Sequence, residues 1–383
     1  MYRHLFKIKY LLLRLAIGLI VVQTTSVSYA DHEPVGYWFD ASKRHYYSKY
    51  VAELSPSKDP IPWKENLGSD LAIQVRLDEI LASDPNVALA AIALKNGSII
   101  YEKQLRGAKD NLYPSWSMAK SMTSIIVGYA LCEGKIQSLD DRADKYAENL
   151  RNTAWGEAKV KDLLMMASGA NSKGLEIDGD YRDRNGFGPS WLMTRNRLTV
   201  KEALKTFGQG EGRTQSGKVY SYNNLDTEAL GQVISGATKQ NFQDYFEQTL
   251  WKNIKAEHRG VWYLDSDRQA LASAYFFASL RDFARVSQHI VDIYKGRSGD
   301  TCLQRYVREA VSRQIRMNEH WWYGYQFPIP RPATALMMGH QGQTIKINFE
   351  TERVVILTAY REEAFKKWFG KNNLFDWLQS RSD

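Results

Sequence analysis

A long and almost uncharged segment, from Met118 to Cys132, is the feature that most restricts how this chain can fold. It follows Pro114 and several serines, which favour the start of a helix, and it stops before Gly134, which can terminate one. A helix that is apolar on nearly every side has to be buried, so we expect it at the centre of the molecule. The other elements should pack around it.

The start of this helix carries Ser117 and Lys120 in the spacing S-x-x-K. Residues three apart share a helix face, so the two side chains can touch. An ammonium group in an apolar setting loses affinity for its proton, and such a lysine can act as the base for a neighbouring hydroxyl. Backbone N–H groups at the start of a helix also favour a developing anion. The pair therefore predicts a serine nucleophile that is activated by lysine.

The spacing alone is weak evidence, because Ser55 and Lys58 repeat it. That second copy lies between Pro56 and Pro60, which disfavour the helix needed to align the two side chains. We therefore interpret the second copy as accidental.

The first thirty residues have the pattern of a secretory signal peptide. Three basic residues precede a run, Leu11 to Val22, that is apolar apart from Arg14, and the small-residue sequence Ser28-Tyr29-Ala30 follows it. We expect cleavage after Ala30 and a periplasmic or secreted protein with no stable membrane insertion. The alternative is an uncleaved anchor, although the run is shorter than the about 20 residues that a bilayer span needs.

Composition excludes two classes of protein. The chain has 383 residues, of which 44% are hydrophobic, and this argues against disorder. Removal of the signal segment, which contains four basic residues and no acid, lowers the formal charge from +8 to about +4. The remaining basic residues are interspersed with acids and form no stripe, so we expect no nucleic-acid partner.

The two cysteines, Cys132 and Cys302, lie far apart in the sequence. They could pair in an oxidising compartment, and the sequence does not fix whether they meet. The position of Cys132 in the apolar helix favours a free, buried thiol that behaves as a small hydrophobe. We therefore expect no disulfide.

Strand signals occur at both ends of the chain. Val87 to Leu94 and Ser98 to Leu105 flank Asn96-Gly97, the sequence that best fits a tight hairpin turn. Alternating or β-branched segments return near the C-terminus, at Thr334–Met338, Gln343–Phe349 and Arg353–Tyr360. The prediction is an α/β (α+β) fold, with an antiparallel sheet built from both chain ends and flanked by helices.

Between these strands the signals are mostly helical, and they predict a helical lobe at roughly 115–270 inserted into the sheet lobe. We expect an N-terminal extension at 31–69, which wraps the body, and one domain at 70–383 with a cleft between its lobes. The expected helices are Leu71–Ser83, Val160–Ala167, Val200–Phe207, Thr227–Ile234, Leu271–Ile293, Leu303–Ile315 and Ala364–Leu378.

Two further motifs bear on function. In Tyr220–Leu225, a phenol can carry protons and an asparagine can both donate to and accept from an amide, although tyrosine and asparagine are also common in turns. In Gly339–Thr344, glycine lets a substrate approach a strand whose N–H groups can polarise a carbonyl. His340 could equally be a structural histidine.

Taken in this order, the three motifs resemble those of the serine β-lactamase and penicillin-binding-protein superfamily. Tyr222-Asn223-Asn224 is similar to the Y-x-N of class C β-lactamases, DD-peptidases and related esterases, and His340-Gln341-Gly342 is similar to the H-x-G that replaces K-T-G in several members. The resemblance covers roughly Leu71 to Leu378 and is strongest to the 6-aminohexanoate-dimer hydrolase branch. It also includes the stretches Asp162–Gly169, Leu280–Arg285, Tyr323–Gln326 and Gly339–Gln343.

The resemblance implies a β-lactamase/transpeptidase-like fold and an acyl-enzyme on Ser117. Lys120 and Tyr222 would form a coupled proton-transfer pair, in which either residue could be the acylation base. The substrate and oxyanion groups would be Asn224, His340, Gly342 and Gln343, with the backbone N–H groups of Ser117 and Gln343 forming the oxyanion hole. No metal and no cofactor is required.

One departure from the superfamily pattern narrows the expected substrate. His340 stands where penicillin-recognising members carry a lysine, and an unperturbed histidine is mostly neutral at pH 7. An exported serine hydrolase of small-molecule amides or esters is therefore favoured. The alternatives are a β-lactamase or D-alanyl-D-alanine carboxypeptidase and a non-hydrolytic penicillin- or acyl-binding module. Aromatic side chains could line an acyl pocket or simply pack, namely Trp116, Tyr181, Trp191, Trp321, Trp322 and Phe327.

Overall fold

The hairpin predicted around Asn96-Gly97 lies within the main sheet of the structure. The computed structural model describes residues 50–83, 88–105, 109–170, 176–177, 181–182, 193, 198–207 and 214–359. Asn96 and Gly97 have φ angles of 49° and 75°, the left-handed values that a two-residue turn between twisted strands requires. The strands on either side, β3 (Ala88–Lys95) and β4 (Ser98–Gln104), are antiparallel. This prediction is confirmed.

The main sheet contains six strands in the order β13-β14-β15-β3-β4-β2. The neighbours from β13 to β4 are antiparallel, and the two-residue strand β2 joins β4 in parallel. The sheet thus combines strands from both ends of the chain, as predicted. The added strands are β2 (Lys64–Glu65), β13 (Thr334–Met338), β14 (Thr344–Asn348) and β15 (Arg353–Ala359).

A second, four-stranded sheet has the order β1-β8-β9-β5 and is antiparallel throughout. Its members are β1 (Tyr50–Leu54), β5 (Tyr113–Pro114), β8 (Gly260–Leu264) and β9 (Phe276–Ala278). Smaller sheets pair β6 (Glu176–Ile177) with β7 (Tyr181–Arg182) and join β10 (Ile315–Arg316), β11 (Trp322–Tyr323) and β12 (Pro328–Ile329).

Most helices of the described residues lie in sequence between β4 and β13, and one precedes β3. They are α1 (Leu71–Ser83), α2 (Met118–Cys132), α3 (Ala154–Glu157), α4 (Val160–Leu164), α5 (Val200–Phe207), α6 (Asn224–Thr238), α7 (Phe242–Phe246), α8 (Leu280–Tyr294) and α9 (Thr301–Ala310). Short 3-10 turns occur at Ala143–Lys145, Glu148–Leu150 and His340–Gly342, and a π-helical turn at Glu247–Trp251. The bounds predicted for α1 and α5 are confirmed.

Helix α1 covers the main sheet through one apolar face. Ile73, Leu77 and Leu81, spaced at helical intervals, are buried against β3, β4 and β15. Burial of each such side chain stabilises the fold by about 1.5 to 3 kcal/mol. Helix α8 also packs against β3 and β15.

Four helix predictions need correction. The helix predicted over Val160–Ala167 ends at Leu164, because Met166 takes a left-handed φ of 55°. The segment Leu271–Ile293 is helical only from Leu280, since its first part contains β9 and Ser279 caps the helix by accepting from the Asp282 N–H.

The remaining helix corrections concern element ends. Leu303–Ile315 gives a helix only to Ala310, and Ile315 begins β10. Thr227–Ile234 lies inside the longer α6. The segment around 176–182, where no strand pair was expected, forms the short β6–β7 pair.

Helix α2 is the centre of the fold, as expected from its composition. Twelve of its residues, from Met118 to Ala130, are buried. Gly128 lets α9 approach, because a Cβ there would lie 2.4 Å from the ring of Tyr306. The Tyr306 hydroxyl donates to the Ser124 carbonyl oxygen at 2.8 Å. The chain therefore folds around the helix that carries Ser117 and Lys120.

The expectation of a free Cys132 is wrong. Cys132 and Cys302 form a disulfide, with their Cα atoms 5.7 Å apart. Cys132 occupies the last turn of α2, where the helix leaves the apolar interior and the side chain is half-buried. Cys302 lies in the first turn of α9, so the bond joins the ends of two packed helices.

The described part of the N-terminal extension, residues 50–69, contacts the body. Strand β1 pairs with β8, and Arg281 of α8 donates to both Glu102 and Glu65 at 2.6 and 2.8 Å. Arg285 donates to the carbonyl oxygen of Ile61 at 2.7 Å. The four prolines of the extension predict irregular structure, whereas its described part contributes two short strands, β1 and β2.

The predicted signal peptide at 1–30 and the C-terminal helix Ala364–Leu378 lie outside the described residues. Within the described ranges, no helix is long and apolar enough to span a membrane.

Candidate active site

A short strand and a strained turn place Ser117 at the start of α2. Ser115 donates its N–H to the Phe276 carbonyl oxygen at 2.7 Å, and its Oγ accepts from the Phe276 N–H at 3.2 Å. Trp116 then takes a left-handed φ of 43°, which is uncommon for a bulky residue and occurs where surrounding contacts enforce it. Ser117 occupies the N-cap position, yet its side chain makes no capping bond. Its hydroxyl is thereby left for other partners.

Ser117 Oγ lies between the two groups that the sequence associates with it. Lys120 Nζ donates to Ser117 Oγ at 3.0 Å, and the Tyr222 hydroxyl donates to the same oxygen at 2.8 Å. Lys120 Nζ also lies 5.1 Å from the centroid of the Tyr222 ring. The structure therefore brings Ser117, Lys120 and Tyr222 into one hydrogen-bonded cluster, although Tyr222 is far from the others in sequence.

The lysine of this cluster is almost wholly enclosed. Lys120 is 2% exposed, and Nζ makes a second hydrogen bond, to the carbonyl oxygen of Ser273 at 2.8 Å. An enclosed amine with fixed acceptors is held in one orientation, which favours directed proton transfer to or from a neighbouring oxygen.

The segment that carries Tyr222 is anchored on both sides. Ser221 donates its N–H to the Met166 carbonyl oxygen at 2.8 Å. Asn223 caps α6 by accepting from the Leu225 N–H at 3.0 Å, and Asn224 is buried as the first residue of that helix. Tyr222 is therefore held immediately before a fixed helix end.

Asp226, two residues further along α6, holds the chain near Ser168. Asp226 is fully buried and accepts from the Trp155 indole N–H at 2.8 Å and from the Ser168 hydroxyl at 2.7 Å. Burial raises the pKa of Asp226 to about 7, while these hydrogen bonds oppose the rise. This carboxyl supports the Met166–Ser168 region on which the Tyr222 segment rests.

The third motif lies directly against the start of α2. Gly339 is essential to this approach, because a Cβ there would lie 2.4 Å from the Ser115 carbonyl oxygen and 3.1 Å from Trp116 Cβ. The Trp116 indole N–H donates to Gln341 Oε1 at 3.2 Å. His340 is exposed, and its ring meets Trp116 edge to face at 5.5 Å.

Gln343 connects the third motif to the sheet. Its backbone carbonyl oxygen accepts from the Gly339 N–H at 2.8 Å, and its buried side chain donates to the Ala359 carbonyl oxygen. Gly342 precedes it with a φ of 92°, a conformation that favours glycine. The start of β14 is thus fixed beside the Ser115–Trp116 turn.

Gln326 links three parts of the site and has no role assigned from the sequence. Its side chain donates to the Leu163 carbonyl oxygen at 2.8 Å and accepts from the Thr227 hydroxyl at 2.9 Å. Its backbone carbonyl oxygen accepts from the Ser121 hydroxyl at 2.7 Å. Helices α2, α4 and α6 are therefore joined through one residue.

The aromatic residues suggested for an acyl pocket differ in burial and in their distance from Ser117. Phe327 is fully buried and packs in the core, whereas Trp116 lies beside Ser117 with its ring edge-on to Tyr275 at 5.2 Å. Trp321 and Trp322 are half-buried near the β10–β12 sheet. The side chain of Tyr181 and all of Trp191 lie outside what the structure describes.

Besides Gln326, sequence reasoning missed two polar groups of the site, Ser273 and Glu228. A signal for Glu228 exists, because its spacing from Leu225 and Gln232 places it on the inner face of α6. Ser273 acts through its backbone carbonyl, which no side-chain motif reveals. Among the described residues, the one cluster close enough to hold a metal contains Cys132, Asp300 and Cys302, and the disulfide occupies both sulfurs.

A hydroxyl held between an enclosed lysine and a phenol at the start of a central helix defines a class, the serine hydrolases that use S-x-x-K and tyrosine. Residues 77–361 match the family described as Beta-lactamase. The chain belongs to this family. The resemblance to the serine β-lactamase and penicillin-binding-protein superfamily, with its fold and its serine-hydrolase class, is confirmed.

Solved structures of known proteins share the fold of this chain. A candidate 6-aminohexanoate-dimer hydrolase from Bacillus anthracis has a TM-score of 0.72 at 20% identity, covering 93% of this chain and 96% of that one. A β-lactamase/D-alanine carboxypeptidase from Pseudomonas syringae has a TM-score of 0.57 at 14% identity, covering 76% and 94%. At these identities the likeness shows the fold.

One relative found by sequence matches over a shorter part of both chains. Protein flp of Staphylococcus aureus strain MW2 is 20% identical over 203 residues, which is 48% of this chain and 38% of flp. The chain therefore matches well under half of the length of this curated relative.

Proposed function

We propose that this protein is an exported serine hydrolase that cleaves an amide or ester bond through an acyl-enzyme on Ser117. One observation carries the proposal: Ser117 Oγ accepts hydrogen bonds from both Lys120 Nζ and the Tyr222 hydroxyl, at 3.0 and 2.8 Å. A nucleophile within reach of a base that is itself oriented by a third group is the arrangement that covalent catalysis needs.

In the proposed acylation step, Ser117 Oγ bonds to the substrate carbonyl carbon while its proton passes to the Lys120–Tyr222 pair. The backbone N–H groups of Ser117 and Gln343 stabilise the oxyanion, and loss of one such donor costs about 3 to 4 kcal/mol. Tyr222 then gives the proton to the leaving group as the carbonyl carbon–leaving group bond breaks. Asn224 and His340 orient the substrate.

Deacylation repeats these steps with water as the nucleophile. The Lys120–Tyr222 pair removes a proton from water, the hydroxide adds to the acyl carbon, and Ser117 Oγ leaves with the returned proton. The products are the free acid and the restored enzyme, so no further reactant is required.

The third motif favours small amides or esters over penicillins. His340 is exposed. A histidine attracts a substrate carboxylate less strongly than a lysine does, because its positive charge depends on pH. A 6-aminohexanoate-type linear amide is a reasonable test substrate, because a structural relative is named as a candidate hydrolase of that dimer.

Export is also part of the proposal. The Cys132–Cys302 disulfide supports it, because such bonds persist in oxidising compartments. The N-terminal pattern predicts cleavage after Ala30, which N-terminal sequencing of the protein recovered from the periplasm or medium would test.

A turnover assay distinguishes the candidate functions. The mature protein is offered a p-nitrophenyl ester, a linear 6-aminohexanoate amide and a chromogenic cephalosporin. Faster turnover of the ester or amide supports the proposal, and faster turnover of the cephalosporin indicates a β-lactamase. A stable adduct without turnover indicates an acyl-binding module. Ser117→Ala is the test variant, and Ser55→Ala, in the accidental copy of the motif, is its matched control.

A further inference from the structure

A buried carboxylate is linked to the lysine of the proposed site through one backbone segment. Glu228 projects from α6 and is 1% exposed. Its Oε2 accepts from the Ala272 N–H at 2.9 Å, and its Oε1 accepts from the Ser273 N–H at 3.1 Å. Both oxygens of one carboxylate are thus bound to consecutive backbone amides.

The same two residues face α2 with their carbonyl groups. The Ser273 carbonyl oxygen accepts from Lys120 Nζ at 2.8 Å, and the Ala272 carbonyl oxygen accepts from the Thr123 hydroxyl at 2.8 Å. The segment Ala272–Ser273 is therefore fixed between Glu228 on one side and the Ser117 helix on the other. Its orientation decides where the acceptor for Lys120 lies.

The segment Ala272–Ser273 precedes β9, whose first residue is Phe276, and lies outside the strands and helices. Its neighbours are held by backbone hydrogen bonds, from the Leu271 N–H to the Tyr263 carbonyl oxygen and from the Ala274 N–H to the Leu271 carbonyl oxygen, both at 3.1 Å. Gly231, three residues beyond Glu228 on α6, lets the segment approach, since a Cβ there would lie 2.9 Å from Ala272 Cβ. Without the carboxylate, two N–H groups would be buried beside α6 without their acceptors, at about 1 to 3 kcal/mol each.

A carboxylate is an expensive residue at this position. Burial raises the pKa of Glu228 to about 7, while the Ser273 and Ala272 groups and the charge of Lys120 oppose the rise. Asp226 is buried at a similar cost without bonding Lys120, so burial alone does not define the role of Glu228. What distinguishes Glu228 is that its two amide partners belong to the segment whose carbonyl oxygen accepts from Lys120 Nζ.

We propose that Glu228 is a positioning residue for Lys120, which it serves by holding the Ser273 carbonyl group against Nζ and by placing a negative charge behind it. This inference rests on the proposed hydrolase function. Among the described residues, the titratable groups that face the junction are Lys120 on α2, with Tyr222 beyond it, and Glu228 on α6. The intervening Ala272–Ser273 segment carries none.

Asp282 on α8 provides a matched control. It is also fully buried, and it accepts from two consecutive backbone amides, the Glu257 N–H at 2.6 Å and the His258 N–H at 3.0 Å. Among the described residues, Lys120 Nζ bonds Ser117 and Ser273, and neither belongs to the segment that Asp282 holds. Replacement of either acid by its amide removes a buried carboxylate, but only the change at Glu228 alters the support of the lysine.

The experiment measures ester hydrolysis by the mature protein for wild type, Glu228→Gln and Asp282→Asn, with the melting temperature of each. We expect Glu228→Gln to lower kcat by about 10- to 100-fold with KM changed less than about threefold, because the ground-state contacts with substrate stay. Above about pH 7, where Glu228 is ionised, its negative charge favours the ammonium form of Lys120. The part of the acid limb of the kcat/KM profile that lies above this pH should therefore shift to lower pH in Glu228→Gln. Asp282→Asn should leave that limb in place.

A double-mutant cycle separates this role from a loss of folding. In a Lys120→Ala background, Glu228→Gln should cause no further loss of the slow labelling of Ser117, because its target is absent. If the amide variant does not fold, Glu228→Asp, which keeps the charge but shortens the reach, replaces it. An equal fold-loss in both backgrounds, or an unshifted limb in folded Glu228→Gln, would overturn the inference.

Failure of the proposed function has a different signature. If wild type neither turns over nor labels at Ser117, the hydrolase proposal fails. If wild type is active, Ser117→Ala is inactive and Glu228→Gln matches wild type, only the role of Glu228 is lost.

Discussion

The Trp116 indole N–H donates to Gln341 Oε1 at 3.2 Å across 225 residues of sequence. This bond joins the turn before the proposed nucleophile to the third motif. It therefore couples the two chain segments whose backbone amides, at Ser117 and Gln343, are proposed to stabilise the oxyanion.

Replacement of Gln341 by alanine should loosen this coupling. A hydrogen bond of this kind contributes about 1 kcal/mol, so we expect kcat/KM for a p-nitrophenyl ester to fall about 5- to 10-fold. Gln314→Ala is the control, because its side chain bonds Glu309 and Ser312 and no other described residue, near the α9–β10 connection. Equal effects of the two changes would show that the coupling does not matter.

Tyr222→Phe should affect amides more than activated esters. The change removes the hydroxyl that donates to Ser117 Oγ at 2.8 Å. Proton donation to a leaving group contributes about 100- to 10,000-fold, and p-nitrophenolate hardly needs it. We expect a loss of about 1,000-fold in kcat/KM on an amide and a much smaller loss on the ester.

The control for this change is Tyr220→Phe. Tyr220 packs against Tyr323 at 4.9 Å, and its hydroxyl has no hydrogen-bond partner among the described residues. Steady-state kinetics on both substrates should leave this variant close to wild type. Equal losses on amide and ester in Tyr222→Phe would contradict the proton-donor role.

Removal of the disulfide should lower stability more than activity. Cys132 and Cys302 are 170 residues apart and join α2 to α9. Loss of such a bond costs about 2 to 5 kcal/mol. We expect the Cys132→Ser/Cys302→Ser double variant to melt at lower temperature and to retain its 25 °C turnover. Dithiothreitol should reproduce the shift in wild type and leave the double variant unchanged, and a dithiothreitol effect on that variant would refute the assignment.

Asp226 should make the folded state less stable as pH rises. Burial raises its pKa to about 7 from an ordinary value near 4, so the folded protein holds this proton more tightly than the unfolded chain. The free energy of unfolding should therefore decrease between about pH 4 and pH 7.

The asparagine in Asp226→Asn cannot titrate, so comparison with wild type isolates the contribution of Asp226 to the pH dependence of stability. The variant should be less stable than wild type at pH 5, and the difference should narrow by pH 8. Thermal unfolding at the two pH values measures it. A difference that is constant with pH would show that Asp226 is not protonated in the folded protein.

The sequence predicts most accurately those helices and strands whose residue pattern lies within the element itself. The α1 helix has regular apolar spacing, and the hairpin at Asn96-Gly97 has a turn that only a few residue pairs allow. The C-terminal strand Thr334–Met338 likewise alternates or is β-branched. Each of these was placed within a residue or two of its observed ends.

The elements that the sequence conceals depend on distant partners. Strands Gly260–Leu264 and Phe276–Ala278 are buried at every position, so they show no alternation and cannot be told from part of a helix. The Cys132–Cys302 bond depends on how two helices end beside each other.

The residues of the candidate site also differ in how far the sequence predicts them. Side chains in fixed spacing, such as Ser117 and Lys120, are visible in the sequence, and Tyr222 follows from its motif. The acceptor at Ser273 is a backbone carbonyl, and its support by Glu228 requires the packed structure. Motifs thus identify the reacting groups, while the tertiary fold supplies the groups that orient them.

The most direct test of the account is to map the covalent adduct of a fluorophosphonate probe on the mature protein by peptide mass spectrometry. The account predicts one adduct, on Ser117, which is absent in Ser117→Ala, strongly slowed in Lys120→Ala and unchanged in Ser55→Ala. Labelling that persists in Ser117→Ala, or an adduct on another residue, would contradict it.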